Sequence, residues 1–422
     1  MSDRNPIVAA VDAGTNTTIC LIGKEHQPGK AEIIGYSMVA SAGIRRGVIL
    51  NVDETADAIR TAVTEASKRA NCDIQKLYVN LSGQKFRTID KTLKKSIEAG
   101  KIITKADIKA MYEQVKGLEQ VPGEKIFHII NQAYSIDGET GISNPIGAAG
   151  NEMNAEYKVV VGPVSYEENL KSSLKRAGFE MVRAIVNPVA SAESVLTEDE
   201  KEAGVVVVDL GGGTTTLSVF YENVLRYMSV IPFGGNMITF DIKEGCSILL
   251  RHAELLKVKW GQALGDFAPA NRVVTIPGLN GFEPKEISCK SLAYIIQARL
   301  EEIFESVHYQ IGKSGFADKL GAGIVLTGGG AKLEKINQLV RFKTGMDVRI
   351  GYPIFKLNPE QEKVLESPQF ATVFGLLIKA LRDENAQNEE LIARKRKKPK
   401  LNFGTAVVEK LTLFFNEEDS EL

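Results

Sequence analysis

Two stretches of the chain share one pattern of apolar and polar positions. Each begins with an apolar run, passes through a short turn of Asp, Gly and Thr, and ends in a run rich in β-branched residues: AAVDAGTNTTICLI from Ala9 and VVVDLGGGTTTLSV from Val206. The aligned positions are Asp12 with Asp209, Gly14 with Gly211, Thr17 with Thr214 and Thr18 with Thr215. Because Thr and Val favour strands and glycine permits unusual turn dihedrals, each copy predicts a β-hairpin. The repeat predicts two related halves.

A third glycine cluster, GIVLTGGGAKLEKI from Gly323, predicts a strand, a turn and a helix. Residues 324–326 form the apolar strand, Gly328 to Gly330 form the turn, and apolar residues then recur at helical spacing. These are Leu333, Ile336, Leu339 and Val340. A turn of this kind lets a flat ligand approach the backbone, although a glycine after any strand gives a similar pattern.

Three other segments have helical signatures. TKADIKAMYEQV opens with a capping box of Thr104 and Asp107. A second box, Ser165 with Glu168, predicts the start of a helix that Gly178 closes. A long helix has one apolar stripe that predicts a core position rather than a cofactor site. The stripe comprises Leu292, Ile295, Ile296, Leu300, Ile303, Phe304 and Val307.

The composition is that of a soluble globular protein. The 422 residues exceed what one hydrophobic core usually serves, so we expect two or more domains. A net charge of -1 gives no basic excess for nucleic-acid binding. Four scattered cysteines without a C-x-x-C pair and four scattered histidines disfavour a zinc site, a disulfide framework and a serine-type triad. We expect neither a signal peptide nor a membrane span of about 18 apolar residues, and a reducing cytosol fits best.

The two hairpins carry the strongest chemical signal. Neither G-x-G-x-x-G nor a P-loop is present. Bare amides in a Gly and Thr turn form an anion-binding nest, and an aspartate at the end of a buried strand can hold a metal ion through water. A single turn of this kind is more often only a hairpin. Two aligned copies favour a site that clamps a polyphosphate from both sides.

The C-terminal segment has an amphipathic pattern behind a basic run. The run comprises Arg394, Lys395, Arg396, Lys397, Lys398 and Lys400. On a helical wheel NFGTAVVEKLTLFFN gathers one apolar arc, made of Phe403, Val407, Val408, Leu411, Phe414 and Phe415. The basic run adds on the order of 1 kcal/mol per charge near anionic lipid, so we predict membrane-surface binding. Docking on the protein itself or on a partner helix is the alternative.

The three glycine motifs resemble the phosphate-1, phosphate-2 and adenosine motifs of the actin, heat-shock chaperone and sugar-kinase ATPase superfamily. Within it, the chain resembles the FtsA family of bacterial cell-division proteins over nearly its whole length. The family likeness lies in NLSGQKF at 80–86, ASAESVLTEDEKEAGVVVVDLGGGT at 190–214 and IPFGGNMITFDI at 231–242. It implies an α/β, actin-like (ribonuclease H-like) two-lobed ATPase fold with an inserted subdomain and a C-terminal amphipathic helix.

The resemblance also implies a domain plan. It assigns residues 1–85 to the first part of subdomain 1A, 86–162 to an inserted subdomain 1C, 163–202 to the second part of 1A, 203–235 to the first part of subdomain 2A, 236–309 to subdomain 2B, 310–382 to the second part of 2A, 383–400 to a flexible basic linker, 401–416 to a membrane-targeting helix and 417–422 to an acidic tail. The connecting helix between the halves is NPVASAESVL.

The same resemblance implies an ATP site with Mg²⁺. The phosphate contacts would be Asp12, Gly14, Thr15, Asn16, Thr17, Asp209, Gly211, Gly212, Gly213 and Thr214, with Gly234, Gly235 and Asn236 nearby. The adenosine contacts would be Gly328, Gly329, Gly330 and Ala331, with Glu254 and Lys257 at the ribose and base. For Glu254 and Lys257 a solvent-facing ion pair is the alternative. Asp12 and Asp209 would hold Mg²⁺ through water.

Hydrolysis is expected to be slow. Relatives carry a glutamate in an E-P-x-A-x-A helix that positions the attacking water, and Asn187 occupies that place here. An amide can bond to water but cannot take its proton. Asp12, Asp209 and Asn187 are the catalytic candidates, none of them strong.

The resemblance implies a protein of the cytoplasmic membrane face that tethers the division ring. Its partners would be the C-terminal tail of FtsZ on subdomain 2B, further copies of itself in a filament, anionic lipids and later division proteins, without nucleic acid. Lys290 and Arg299 are the cationic candidates for the acidic FtsZ tail. The alternatives are a sugar or metabolite kinase, a pilus-assembly adaptor and the shape-determining actin MreB; the tail disfavours the kinase and the adaptor, and MreB lacks both this tail and this insert position.

Overall fold

The structure, a computed structural model, describes residues 6–27, 30–98, 100–278 and 283–397. It divides into two compact units, residues 1–380 and residues 381–422. The strands are β1 Ile7–Ala13, β2 Thr17–Gln27, β3 Lys30–Ala40, β4 Ile44–Arg45, β5 Val48–Ile49, β6 Lys76–Leu81, β7 Arg87–Ser96, β8 Glu124–Ile136, β9 Glu139–Ile142, β10 Glu152–Pro163, β11 Glu180–Val186, β12 Val205–Leu210, β13 Thr215–Tyr221, β14 Val224–Ile231, β15 Val273–Ile276, β16 Lys285–Ser288, β17 Ile324–Thr327 and β18 Val348–Ile350. The helices are α1 Val52–Ala70, α2 Lys105–Lys116, α3 Val164–Ala177, α4 Asn187–Val195, α5 Glu198–Ala203, α6 Gly235–Cys246, α7 Leu250–Trp260, α8 Cys289–Lys313, α9 Ile336–Thr344, α10 Pro359–Leu365 and α11 Ala371–Lys397.

The two halves of the first unit are built on sheets of the same topology. One has the strand order β3-β2-β1-β6-β11 and the other β14-β13-β12-β17-β18. In each, three consecutive antiparallel strands are followed by two parallel strands. Both predicted hairpins are present, β1 with β2 and β12 with β13. The internal repeat in the sequence therefore corresponds to a structural repeat.

A four-stranded sheet of order β7-β10-β8-β9 is inserted between β6 and α3. Helix α2 covers it, and the two share a core that includes Met111, Val115 and Met153. The predicted capping box is confirmed, since the Thr104 side chain accepts from the amide of Asp107 and the Asp107 carboxylate accepts from that of Thr104. The insert therefore has a hydrophobic core of its own.

The second predicted capping box is wrong. Helix α3 begins at Val164 after Pro163, whose side chain makes no capping bond, so Ser165 lies inside the first turn. The first free helical amide, that of Val164, donates instead to the carbonyl of Gly123 at 2.9 Å. A tertiary contact has taken the place of the local cap. Gly178 closes the helix in the left-handed conformation, as predicted.

Helices α6, α7 and α8 and the hairpin of β15 and β16 form the region between β14 and β17. The apolar stripe of α8 is buried as predicted, with Leu292, Leu300 and Phe304 fully enclosed and Ile295 packed beside them. This stripe belongs to the same core as the inner faces of β12 and β17.

The last described helix, α11, departs from the predicted domain plan. Its first turns are buried, but the helix continues to Lys397 through residues assigned to a flexible linker. The reason is composition: residues 376–398 contain no Gly or Pro and are rich in strong helix formers, and Pro399 follows. The predicted amphipathic helix at 401–416 and the acidic tail lie outside the described residues.

Within the described part of the chain, no single helix has the length and apolar character of a membrane span. One bent pair, Pro359–Leu365 with Pro368–Asn385 at 86°, reaches that length and composition together.

Candidate functional site

A cleft of about 490 Å³ lies between the two hairpins, with the turn at Gly328 along its side. Seventeen of the predicted site residues line it: Asp12, Gly14, Thr15, Asn16, Thr17, Asn187, Asp209, Gly211, Gly212, Gly213, Thr214, Gly235, Glu254, Lys257, Gly328, Gly329 and Gly330. Residues far apart in the chain thus meet around one space.

Three predicted residues lie next to the cleft but do not line it. Gly234 packs against the carbonyls of the second hairpin turn. Asn236 bonds to Asn16 at the edge of the cleft. Ala331 is buried beneath the glycine turn.

Asp12 stands at the end of β1 on the first-half side of the cleft. Its Oδ1 is buried and has no hydrogen-bond partner among the described residues. Burial, reinforced by the negative charge of Asp209, raises the pKa of Asp12 to about 7. A buried carboxylate oxygen without a donor fits a hydrated cation, which is the group predicted for this position. The described residues contain no cluster of three His, Cys, Asp or Glu side chains.

Asp209 stands at the equivalent end of β12 and is held more firmly. Its Oδ2 accepts a hydrogen bond of 3.1 Å from the Thr372 hydroxyl. Burial raises its pKa to about 6, and the bond from Thr372 opposes the rise. Gly328 has a φ of +84°, and a Cβ there would lie 2.2 Å from Asp209 Oδ1. Only glycine allows this backbone to close over the carboxylate.

The two hairpin turns have the same local geometry and touch each other. The Gly14 amide donates to the Thr17 carbonyl and the Gly211 amide to the Thr214 carbonyl, both at 3.0 Å. A Cβ on Gly212 would lie 2.6 Å from the Asn16 amide nitrogen, so the turns approach as closely as glycine permits.

Asn16 and Asn236 join the two halves at the edge of the cleft. Each side-chain amide donates to the oxygen of the other, at 2.7 and 2.8 Å. Asn236 lies at the start of α6, and its own backbone amide donates to the Gly212 carbonyl. The pair therefore holds the first hairpin against the second half.

Glu254 and Lys257 form an ion pair that lines the cleft, and the Glu254 side chain is 41% exposed. Lys257 Nζ lies 2.7 Å from Glu254 Oε2 and also donates to the Gly235 carbonyl at 3.0 Å. Only 11% of the Lys257 side chain is exposed. Val258 and Leu333 add an apolar wall on this side. The geometry suits a flat, partly apolar group beside the glycine turn.

Asn80 and Ser82 line the cleft and were not predicted as site residues. Asn80 accepts a bond of 2.7 Å from the Ala13 amide and donates one of 3.1 Å to Asn187 Oδ1. The Ser82 hydroxyl is buried and has no partner within the described segments. Both lie in NLSGQKF, the stretch that carried part of the family likeness, so a signal for them was present.

His128, on β8 of the insert, contacts the end of β11. Its Nε2 accepts a hydrogen bond of 3.3 Å from the Val186 amide, immediately before Asn187. Burial, with the nearby charges of Arg183 and Lys379, lowers the pKa of His128 to about 3. The ring is neutral at physiological pH, as an acceptor must be.

Other cleft residues gave no signal in the sequence. Thr372 and Gln369 come from the start of α11 and the turn before it, and Met38 comes from the end of β3. None of the three belongs to one of the glycine clusters or charged motifs that marked the predicted site residues, so only the tertiary structure brings it to the cleft.

Lys290 and Arg299 do not share a surface. Both lie on α8, and a separation of nine residues at about 100° each places them half a turn apart. Arg299 already pairs with Asp241, with Nη2 2.9 Å from Oδ1, and with Glu302. Its charge is therefore largely compensated within the protein.

Two family models match the chain. "Cell division protein FtsA" matches residues 206–375, and "SHS2 domain inserted in FTSA" matches residues 83–161. Cell division protein FtsA of Pseudomonas aeruginosa is 32% identical over 379 residues, which cover 90% of each chain. The protein of the same name from Neisseria meningitidis is 34% identical and covers 89% of this chain and 91% of its own.

The solved structures that resemble this chain have actin-like folds. The PilM-PilN type IV pilus biogenesis complex aligns over 89% of this chain and 98% of its own, with a TM-score of 0.64 at 15% identity. MreB5 of Spiroplasma citri bound to ADP aligns over 91% and 98%, with a TM-score of 0.52 at 14% identity. The fold is thus an actin-like α/β fold with an inserted subdomain, as predicted, and the insert matches the SHS2 model.

Proposed function

The chain belongs to the FtsA family of cell division proteins, and we propose that it binds ATP with Mg²⁺ in the cleft between its hairpins. The observation that carries this proposal is the convergence of Asp12 and Asp209 beside two amide-lined turns. The amides and threonine hydroxyls suit phosphate oxygens, and the unpartnered oxygen of Asp12 suits a hydrated cation. When bound, Mg²⁺ would neutralise charge on the phosphates.

ATP in this cleft would act chiefly as a clamp between the halves. It would contact the turn at Gly14 from one half and the turn at Gly211 from the other, so its binding favours the closed arrangement. Asn187 lacks the carboxylate that accepts a proton from water, so turnover would be slow. We propose that the closed, ATP-bound protein polymerises.

In the cell the protein would tether FtsZ filaments of the division ring to the cytoplasmic face of the membrane and recruit later division proteins. The basic run and the amphipathic pattern at 401–416 support membrane attachment. The region between β14 and α8 offers a groove of about 610 Å³ for the FtsZ tail, with Phe233, Tyr309 and Arg299 on its walls. Of the two predicted cationic contacts, only Arg299 lies in that groove.

The rival functions are not favoured. A sugar kinase needs an acceptor pocket with a catalytic base. The likeness to the PilM-PilN complex is a likeness of fold only, at 15% sequence identity. The extended identity to FtsA proteins covers both halves and the insert together.

Calorimetric titration of the full chain with ATP, with and without Mg²⁺, tests the proposal. We expect saturable binding that weakens when Mg²⁺ is chelated, and slow phosphate release. Asp12→Asn and Asp209→Asn in one chain should abolish the binding. Unchanged affinity in that double variant would contradict the proposal.

A further inference from the structure

Asn80 and Asn187 belong to one chain of hydrogen bonds that begins at the first hairpin. The Ala13 amide, next to Asp12, donates to Asn80 Oδ1 at 2.7 Å. Asn80 Nδ2 then donates to Asn187 Oδ1 at 3.1 Å. Asn80 is 4% exposed, and both asparagines line the cleft.

The bond between the Ala13 amide and Asn80 decides which atoms donate and which accept in the rest of this hydrogen-bonded series. A backbone amide can only donate, so the atom of Asn80 that meets Ala13 is its carbonyl oxygen. The opposite end of the Asn80 amide is then the nitrogen, and the atom of Asn187 that meets it must be an oxygen. Asn187 is left with its Nδ2, which has no protein partner in the described part of the chain.

That orientation matters for any water in the cleft. Hydrolysis of a phosphoanhydride requires a water whose proton is accepted as its oxygen attacks phosphorus. An amide nitrogen carries hydrogens and no available lone pair, so it can only donate to the water oxygen. The bond would occupy one of the two lone pairs of the water oxygen and would leave the water without a proton acceptor at position 187.

We propose that Asn80 is a positioning residue that turns Asn187 so that only its amide nitrogen faces the nucleotide, and that this orientation keeps hydrolysis slow. The inference rests on the proposed binding of ATP. It goes further by naming the residue that sets the orientation. A carboxylate at position 187, held by the same bond from Asn80, would present its second oxygen to the water as a proton acceptor.

The test compares Asn187→Asp with Asn187→Ala and with Asn80→Ala added to Asn187→Asp. For each full-length variant, ATP affinity and the thermal midpoint are measured first, followed by kcat, KM and the pH dependence of kcat. Asn187→Asp should raise kcat by about 100-fold or more, with a much smaller change in KM. Asn187→Ala should give no gain.

Adding Asn80→Ala should remove most of the gain. It should also move the midpoint of the kcat–pH curve to higher pH, because the lost bond from Asn80 no longer favours the ionised form of Asp at 187. A merely structural role for Asn80 would lower the thermal midpoint without moving that curve. Asn80→Ser replaces Asn80→Ala where stability falls too far for assay, since its shorter side chain cannot reach residue 187.

Two results would overturn the inference: an unchanged kcat in Asn187→Asp that still binds ATP, or a full gain that survives loss of Asn80. Failure of the original chain to bind ATP would instead reject the proposed function, and the affinity measurement separates the two.

Discussion

The two hairpins carry the same turn, yet their aspartates are in different states. Asp209 is fixed by the Thr372 hydroxyl and enclosed by the backbone at Gly328, whereas Asp12 Oδ1 has no partner. Burial raises the pKa of both carboxyls, to about 7 for Asp12, where the charge of Asp209 adds to the rise, and to about 6 for Asp209, where the bond from Thr372 opposes it. The repeat gives both turns the same backbone geometry, but residues from elsewhere in the chain decide whether each aspartate has a hydrogen-bond partner. The first carboxylate is the one suited to receive a cation.

The largest expected effect is on the stability of the ligand-free protein. Raising a carboxyl pKa in the folded state makes stability fall as pH rises from the unfolded pKa of 3.8 to about 7. Asp12→Asn removes this penalty, so the variant should be more stable at pH 8 by at most about 4 kcal/mol. The gain should vanish near pH 4.

Asp209→Asn is the matched control, and its gain should be smaller because its pKa rises only to about 6. Denaturant unfolding at both pH values measures the difference. A larger gain in Asp209→Asn would reverse the comparison.

The next effect is on ATP binding with Mg²⁺. Asp12→Asn should weaken it by about 30- to 100-fold, which corresponds to the loss of a charged hydrogen-bonding group of about 2–3 kcal/mol. Asp209→Asn should weaken it less, because Thr372 still fixes the side chain at 209. Titration with and without Mg²⁺ separates the cation contribution. Equal losses of ATP affinity in the two variants would show that the two carboxylates contribute equally to binding.

Thr372→Val should make the second hairpin resemble the first. The variant keeps the shape but removes the donor to Asp209, so it should cost about 1 kcal/mol of stability and raise the pKa of Asp209. The cost should grow as the pH rises above about 6. Thr344→Val, at a buried hydroxyl that donates to the carbonyl of Val340 and accepts from the amide of Met346, is the control and should show no such pH dependence.

The smallest effect concerns the contact between the hairpins and the opposite half. Asn16→Ala removes the bonds to Asn236, which lie near solvent, so nucleotide release should quicken by about fivefold. Release of a fluorescent ATP analogue measures the rate. Asn236→Ala should have the same effect, and the double variant should add little. Additive effects would mean that the two amides act separately.

Much of the fold and of the site was predictable because local sequence encodes it. The hairpins, the turn at Gly328 and the stripe of α8 follow from strand propensity, glycine and helical spacing, which need no distant partner. Thr372, Gln369 and Met38 reach the cleft only through tertiary packing. The same reason explains the start of α3, where a contact with Gly123 replaced the local cap at Ser165. The Asn187 substitution was visible in the sequence, but its orientation was not, because Asn80 sets it.

The bond between His128 and Val186 gives the insert a mechanical link to the cleft. The hydrogen bond joins strand β8 to Val186, the residue before Asn187, so a displacement of β8 would strain the backbone at this edge of the cleft. Because the His128 ring is neutral over the physiological pH range, the contact depends on the position of the ring and not on its charge. The insert and the backbone beside Asn187 are thus joined by a contact whose strength does not vary with pH in this range.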